Sequence, residues 1–172
     1  MTPITLSTLA AFPEQLEAHY LAVPAAFRSW APPSWEGMPS EHLSAIEQVC
    51  HVRDIEIEGY HVRFRRILNE DTPSLESLDS EGMAIARSYA TADARAVFAA
   101  FREARAKTIG LIADLAPEQW ARTAVFEGYG PLTVKSLVHF LCSHDQQHLA
   151  GLQWLLGKIE AAPRSPRAGV GA

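Results

Sequence analysis

Leu141-Cys-Ser-His-Asp-Gln-Gln-His-Leu149 decides how the chain folds, because it sets two imidazoles one turn apart in an otherwise apolar helical stripe. The stripe steps by three or four residues and so lies on one face of a helix that should point into a core. Its members are Val134, Leu137, Leu141, His144, His148, Leu152 and Leu155. Two neutral imidazoles four residues apart can bind one cation, as in H-E-x-x-H helices. The alternative is a pair of core histidines that hydrogen-bond to backbone or neighbouring side chains.

Apolar positions at helical spacing recur along the rest of the chain, between clusters of proline, glycine and serine, and strand-like alternation is hard to find. The predicted helices cover about residues 5–27, 41–68, the stretch between Thr91 and Pro117, and 133–156. Ser40, Thr91 and Thr133 are the expected N-caps, and Gly157 is the expected C-terminal stop. Residues 69–90 form a long connection, as between parallel neighbours. The sequence therefore predicts an all-α four-helix bundle with a long crossover connection.

The composition describes an ordinary globular chain. Its 172 residues suit one domain, here residues 1–161, and residues 162–172 have the Pro, Arg and Gly content of a disordered tail. The formal net charge of −5 and the lack of an extended basic cluster argue against nucleic-acid binding. No signal peptide or membrane-spanning stretch is recognisable, so a cytoplasmic location is expected. In that compartment Cys50 and Cys142 should be free thiols rather than a disulfide.

A third metal ligand has to come from elsewhere, and His51 is the candidate. It is followed by Asp54 and Glu58, one and two helical turns on, and such carboxylates could accept a ring N–H and hold the tautomer. On an ideal wheel His51 lies far from the centre of the main apolar face of its helix, so a partly exposed histidine is the alternative. His61 is the reserve candidate. Asp145 stands where zinc proteases have a catalytic Glu, but it is shorter and suits a supporting role better.

The order of several motifs resembles the DinB-like superfamily over nearly the whole chain short of the tail. The motifs are His51-Val-Arg-Asp-Ile-Glu56, Arg63–Leu68, Phe101–Leu115 leading to Pro117-Glu-Gln-Trp-Ala-Arg-Thr123, Gly130-Pro-Leu-Thr-Val134 and His144-Asp-Gln-Gln-His148. His-x-x-x-His alone is a weak signal. A distant helix-borne His, a Trp-x-Arg-Thr turn and a His-Asp-x-x-His helix in this order are fairly specific. The resemblance implies a four-helix bundle in which His51, His144 and His148 bind a divalent metal ion, zinc, nickel or iron, with open coordination positions.

The chain departs from the family pattern at two positions. Phe126 stands where members often carry a His, and Gly151 stands where many carry a Gln. Neither change removes one of the three expected ligands. Both concern the surroundings of the metal, and they leave the substrate open.

The resemblance implies an activity class without naming the substrate. The first hypothesis is a metal-dependent transferase that delivers a low-molecular-weight thiol to a small electrophile, since metal coordination deprotonates a thiol. Arg53, Arg63 and Arg122 are candidates to receive a carboxylated thiol. The alternatives are a non-catalytic, stress-related metal-binding bundle, which predicts a closed site, and a metal-dependent hydrolase with Asp145 or Glu58 as its base. Several members of the family form homodimers, and the resemblance implies the same here.

Overall fold

The computed structural model describes residues 3–162, and four long helical segments in this range form a bundle. The elements in chain order are α1 (Pro3–Ala22), α2 (Ala45–Asp54), a π-helical segment (Ile55–Tyr60), α3 (His61–Asn69), β1 (Ser74–Leu75), α4 (Ser80–Ala86), α5 (Ala94–Ala113), α6 (Pro117–Trp120), β2 (Thr123–Phe126), β3 (Gly130–Thr133) and α7 (Val134–Ala161). The second long segment is α2, the π-helical segment and α3 in sequence. The predicted tail lies outside the described residues except for Ala162. No helix within the described range has both the length and the apolar character needed to cross a membrane.

The bundle is closed by contacts of α1 with α5 and α7, and of α2 with the same two helices. Its interior contains two clusters of buried apolar side chains. One cluster includes Phe12 and Phe101, whose rings pack edge to face at 5.8 Å. Along α7 the buried members of the other cluster extend from Val134 to Leu141, and those of the cluster with Phe12 and Phe101 begin at Leu152. His144 and His148 therefore lie at the boundary between the two apolar clusters.

Helix α2 begins four residues later than predicted, at Ala45. Ser44 rather than Ser40 is the N-cap, because Glu47 accepts a hydrogen bond from the Ser44 backbone N–H at 2.8 Å. This is half of a capping box, in which the first turn satisfies its own backbone donors. Helix α5 is capped by Asp93 rather than Thr91, and Asp93 accepts from the Arg95 N–H at 3.0 Å. At Ser44 the bond is donated by the N–H of the cap residue itself, whereas Asp93 accepts from an N–H of the first turn.

The second long helix is not a regular α-helix along its length, because a π-helical segment interrupts it at Ile55–Tyr60. A π turn contains an extra residue, so everything beyond it is rotated by about 100° from the position that 3.6 residues per turn predicts. Ile57, inside the π-helical segment, is 38% exposed, whereas His51, which the wheel puts far from the centre of the apolar face, is 2% exposed. The tertiary contacts of α2 on both sides bury nearly its whole surface.

The C-terminal half differs from the prediction in two respects. Helix α7 begins after Thr133, as expected, but it continues through Gly157 to Ala161. The chain also forms a small sheet of order β1-β2-β3, in which β2 pairs parallel to β1 and antiparallel to β3. These strands have at most four residues each, too few for the alternation of apolar and polar residues to stand out.

Candidate metal centre

Three histidine rings from two helices meet at one point inside the bundle. His51 comes from α2, and His144 and His148 come from successive turns of α7. The Nε2 atom of His144 lies 3.1 Å from Nε2 of His51 and 3.2 Å from Nε2 of His148. Three ring nitrogens at these distances can direct their lone pairs into the same space. A hydrogen bond joins only two of the rings, whereas one cation can bind all three nitrogens. The other ring nitrogen of His144, Nδ1, is buried without a hydrogen-bond partner in the described chain.

Glu41 adds a carboxylate to the three rings. Its Oε1 lies 3.5 Å from His51 Nε2, and its Oε2 lies 3.4 Å from His148 Nε2. The four side chains thus each bring one possible ligand atom within 4.8 Å of the others. Glu41 stands in the loop before α2, three residues ahead of the N-cap Ser44, and its side chain is 34% exposed. Sequence reasoning missed it because a loop residue follows no helical spacing.

Gln48 determines which nitrogen of His148 carries the proton. Its amide nitrogen donates to the Leu43 carbonyl at 3.3 Å, which turns its Oε1 toward the ring. That oxygen accepts from Nδ1–H of His148 at 3.1 Å, and Ser40 Oγ donates to it at 3.4 Å. With the proton on Nδ1, Nε2 of His148 presents a lone pair to the cluster. The ring is therefore oriented as a metal ligand requires.

The protein environment keeps these rings neutral. Burial lowers the pKa of His144 and His148 well below the usual histidine range, and the neighbouring charges act in the same direction. Burial also lowers the pKa of His51, against the opposing effect of Glu41 and Asp54. Neutral imidazole is the form that binds metal ions.

A cavity of about 290 Å³ opens onto His51, His144 and Glu41. Its other walls combine aromatic and aliphatic side chains with serine hydroxyl groups and one amide: Ile55, Tyr60, Leu78, Phe126, Tyr129, Phe140, Ser77, Ser80, Ser143 and Gln147. Arg63 also lines the cavity and is only 5% exposed. Phe126 therefore belongs to the cavity wall. A small molecule held there would be next to the histidine cluster.

The carboxylates selected from the sequence have other partners. Asp54 accepts from Arg53, Arg87 and Tyr89, and Glu58 pairs with Arg87 near the surface. None of Asp54, Glu58 and Asp145 hydrogen-bonds to a ring of the cluster.

The remaining candidates also lie outside the cluster. His61 donates to the Ala104 carbonyl at 3.0 Å. Cys50 is buried and Cys142 half-buried, both are free, and burial raises the pKa of each thiol to about 11. The sequence prediction of two free thiols is thus consistent with the structure, and neither cysteine belongs to the group of possible ligands.

A buried ionic network lies beside the centre, and the sequence did not reveal it. Arg105 of α5 makes two hydrogen bonds to Asp145, at 2.7 and 2.9 Å, and two to Glu56, at 2.9 and 3.1 Å. All three residues are at most 1% exposed. Burial raises the pKa of Asp145 to about 7 although Arg105 opposes the rise. Because Asp145 directly follows His144 on α7, the network anchors the helix that carries two rings.

Gly151 is required by the packing around Gln48. A Cβ at this position would stand 2.5 Å from Ser40 Oγ and 2.6 Å from Gln48 Oε1. The side-chain amide of Gln48, which contacts His148, thus occupies the space that a side chain at position 151 would need. The departure from the family pattern at this position has a steric explanation.

Replacing Gly151 by alanine should destabilise the protein by about 1–3 kcal/mol, the usual cost of overpacking. Gly157 is the matched control on the same helix, because a Cβ there meets nothing within 4 Å. Gly157→Ala should instead raise stability by about 0.5–1 kcal/mol, the helix preference of alanine over glycine. Urea unfolding of both variants measures the difference. Equal effects would mean that Gln48 does not occupy this space.

Comparison with known proteins gives a family and a fold. A family model described as the DinB superfamily matches residues 8–152. The solved structure of YfiT from Bacillus subtilis superposes with a TM-score of 0.79 over 94% of this chain and 91% of that chain, at 18% sequence identity. YfiT is described as "a probable metal-dependent hydrolase with an unusual four-helix bundle topology". At that identity the likeness establishes the fold alone. No curated protein matches the chain.

Proposed function

The chain belongs to the DinB superfamily, and from this premise we propose that it is a divalent-metal-dependent enzyme acting on a small molecule in the cavity beside the histidine cluster. The observation that carries the proposal is the meeting of His51, His144 and His148 at Nε2 distances of 3.1 and 3.2 Å. Nitrogen ligands about 2.0–2.1 Å from one ion stand about 2.9–3.4 Å apart in octahedral or tetrahedral positions. The donor set therefore fits a common ion.

The proposed ligands are these three histidines, with Glu41 as a fourth. Neutral imidazole suits zinc, nickel and iron, and one carboxylate beside three imidazoles is compatible with each of them. Glu41 can approach or withdraw because its side chain is one-third exposed, unlike His51 and His148. An ion held mainly by the histidines would keep a position open toward the cavity.

The proposed reaction is the transfer of a low-molecular-weight thiol to a small electrophile. A bound divalent cation supplies Lewis acidity, which lowers the pKa of a thiol that reaches it. In the transfer the sulfur forms a bond to the electrophilic carbon, the bond from that carbon to its leaving group breaks, and the thiol proton departs with the leaving group. The chain's part is to orient both reactants and to exclude water, with the aromatic wall formed by Phe126, Tyr129 and Phe140. This transfer needs no protein base.

Hydrolysis is the second candidate, and Glu41 is the observation that favours it. Asp145 pairs with Arg105 and Glu58 with Arg87, and neither carboxylate suggested by the sequence is among the residues that line the cavity. Glu41 does line the cavity and lies beside two rings, where it could take a proton from water. The description of YfiT as a metal-dependent hydrolase points to the same reaction class.

The non-catalytic alternative is a metal that only holds the helices together. It predicts a closed site, whereas His51, His144 and Glu41 all line an accessible cavity. We therefore favour an enzyme. A homodimer and a cytoplasmic location remain predictions, which sedimentation and cell fractionation can test.

The test is a comparison of two substrates on protein loaded with zinc, nickel or iron. We expect bacillithiol or cysteine to be conjugated to chlorodinitrobenzene faster with the metal-loaded protein than without it, and para-nitrophenyl acetate to be left largely intact. Glu41→Gln should retain much of the thiol transfer, because no base is required. Ester cleavage that needs no thiol and is lost in a Glu41→Gln protein that retains its metal would establish the hydrolase instead. Metal binding with neither activity would favour the non-catalytic bundle.

A further inference from the structure

Arg63 is a buried cation that has no carboxylate partner within the described part of the chain. It is 5% exposed, and within residues 3–162 it forms no ion pair with a carboxylate. The guanidinium donates through Nε and Nη2 to one acceptor, the Glu76 carbonyl, at 3.2 and 2.8 Å. Burying an unpaired charge is costly, and proteins normally pair it or use it. Burial accordingly lowers the pKa of Arg63 from the usual arginine value.

The surroundings of Arg63 hold the guanidinium in place without neutralising it. Its Cζ lies 4.5 Å from the centroid of the Phe126 ring and 5.4 Å from that of the Tyr60 ring. Gly59, one turn earlier, leaves the room it needs, because a Cβ there would stand 2.7 Å from Nη1. The other two arginines considered from the sequence are already engaged. Arg53 pairs with Asp54, and Arg122 donates to the carbonyls of Ile67 and Glu70.

The π-helical segment brings Arg63 to the side of the helix that carries His51. Twelve positions separate the two residues, and an ideal α-helix would turn them about 120° apart. The extra residue of the π segment reduces that angle to about 20°. Both residues consequently line the same cavity. Single-turn π-helical segments are frequent at functional sites.

We propose that Arg63 recognises a carboxylate group of the substrate inside the cavity, with the reacting end of that molecule toward the histidines. This role rests on the proposed function, although the binding of an anion can be measured without it. Arg63 is the only lysine or arginine among the residues that line this cavity in the described chain. One cation suits a monoanion, and the planar guanidinium between aromatic rings suits a planar carboxylate. A cavity of about 290 Å³ limits the ligand to a small molecule.

The test measures the binding of benzoate and of its neutral analogue benzamide by calorimetry, to metal-loaded and to chelator-treated protein. Wild type should bind benzoate at least about tenfold more tightly than benzamide, the effect of a charge-assisted hydrogen bond. Arg63→Gln should lose that preference. Arg65→Gln is the matched control, since Arg65 is exposed and lies outside the cavity wall. It should keep the preference in full.

A folded Arg63→Gln protein that still prefers benzoate would overturn the inference. If that variant does not fold, Gly59→Ala decides, because it displaces only the guanidinium end. Benzoate should then bind at least about threefold more weakly, and unchanged binding would be contrary evidence. Inorganic phosphate binding more tightly than benzoate would overturn the assignment to a carboxylate.

The two proposals fail in different ways. If wild type binds no metal but still binds benzoate through Arg63, the proposed metal centre is wrong and the anion site stands. If wild type and Arg63→Gln both bind the full amount of metal and bind benzoate equally well, the proposed anion site is wrong and the metal centre stands.

Discussion

Replacing His144 by alanine should lower the affinity of the protein for a divalent metal more than about a hundredfold, since changes merely around such ligands already cost 10–100-fold. His144 is the central ring of the three, within 3.2 Å of both others at Nε2. Its removal leaves two imidazoles, His51 and His148, to hold the ion with Glu41. The metal content of protein purified without an affinity tag, and titration with zinc or nickel, measure the loss.

The same variant should lose the stabilisation that metal gives to the wild type. A ligand at one hundred times its Kd stabilises the folded state by about 2.7 kcal/mol, so wild type should melt at a higher temperature with metal and His144→Ala should not. His139→Ala is the matched control, because His139 is an exposed histidine of the same helix. It should retain both the metal and the shift in melting temperature. Equal metal content in all three proteins would remove the proposed centre and leave the histidines as packing.

Replacing Arg105 by methionine should destabilise the protein by about 3–5 kcal/mol, the cost of breaking one side of a buried ionic group. Arg105 is 1% exposed and serves both Glu56 and Asp145. Without it, two carboxylates face each other in the interior with no positive charge between them. Such a loss is a third or more of the total stability of many domains, about 5–15 kcal/mol. Urea unfolding of the metal-free protein measures it.

The control for Arg105 lies one turn earlier on α5. Arg102 pairs with Glu17 at the surface, and exposed pairs contribute less than about 1 kcal/mol, so Arg102→Met should be nearly neutral. Neutralising both carboxylates in Arg105→Met, with Glu56→Gln and Asp145→Asn, should recover much of the loss. If Arg105→Met were as stable as Arg102→Met, the network would not have the role assigned to it here.

The bundle and the pair of α7 histidines could be predicted from the sequence because both depend on local periodicity. Residues four apart on a helix share a face whatever packs against it, so His144 and His148 belong together before any tertiary structure is known. Thr133 was correctly assigned as the cap of α7 for the same reason: the cap bond is made within one turn, from Ser136 N–H. His51 was identified from its motif rather than from its position on the wheel.

The contacts that complete the site were decided by tertiary structure. Gln48 reaches His148 across 100 positions of sequence, and Arg105 reaches Asp145 across 40. Such contacts depend on how α2, α5 and α7 cross, and a helical repeat within one segment carries no information about the crossing. Glu41 stands in a loop, where neither a period of 3.6 nor one of 2 applies. Helical periodicity did not reveal the π-helical segment either, and Arg63 and His51 line the same cavity.

The sequence alone thus determined an all-α bundle with paired imidazoles on its last helix, because helical periodicity is a local property of the chain. Only the tertiary structure decided which carboxylate joins the rings, which amide orients His148, and which buried cation faces the cavity. These depend on distances between segments that are far apart in the chain, and those distances are set when the helices pack.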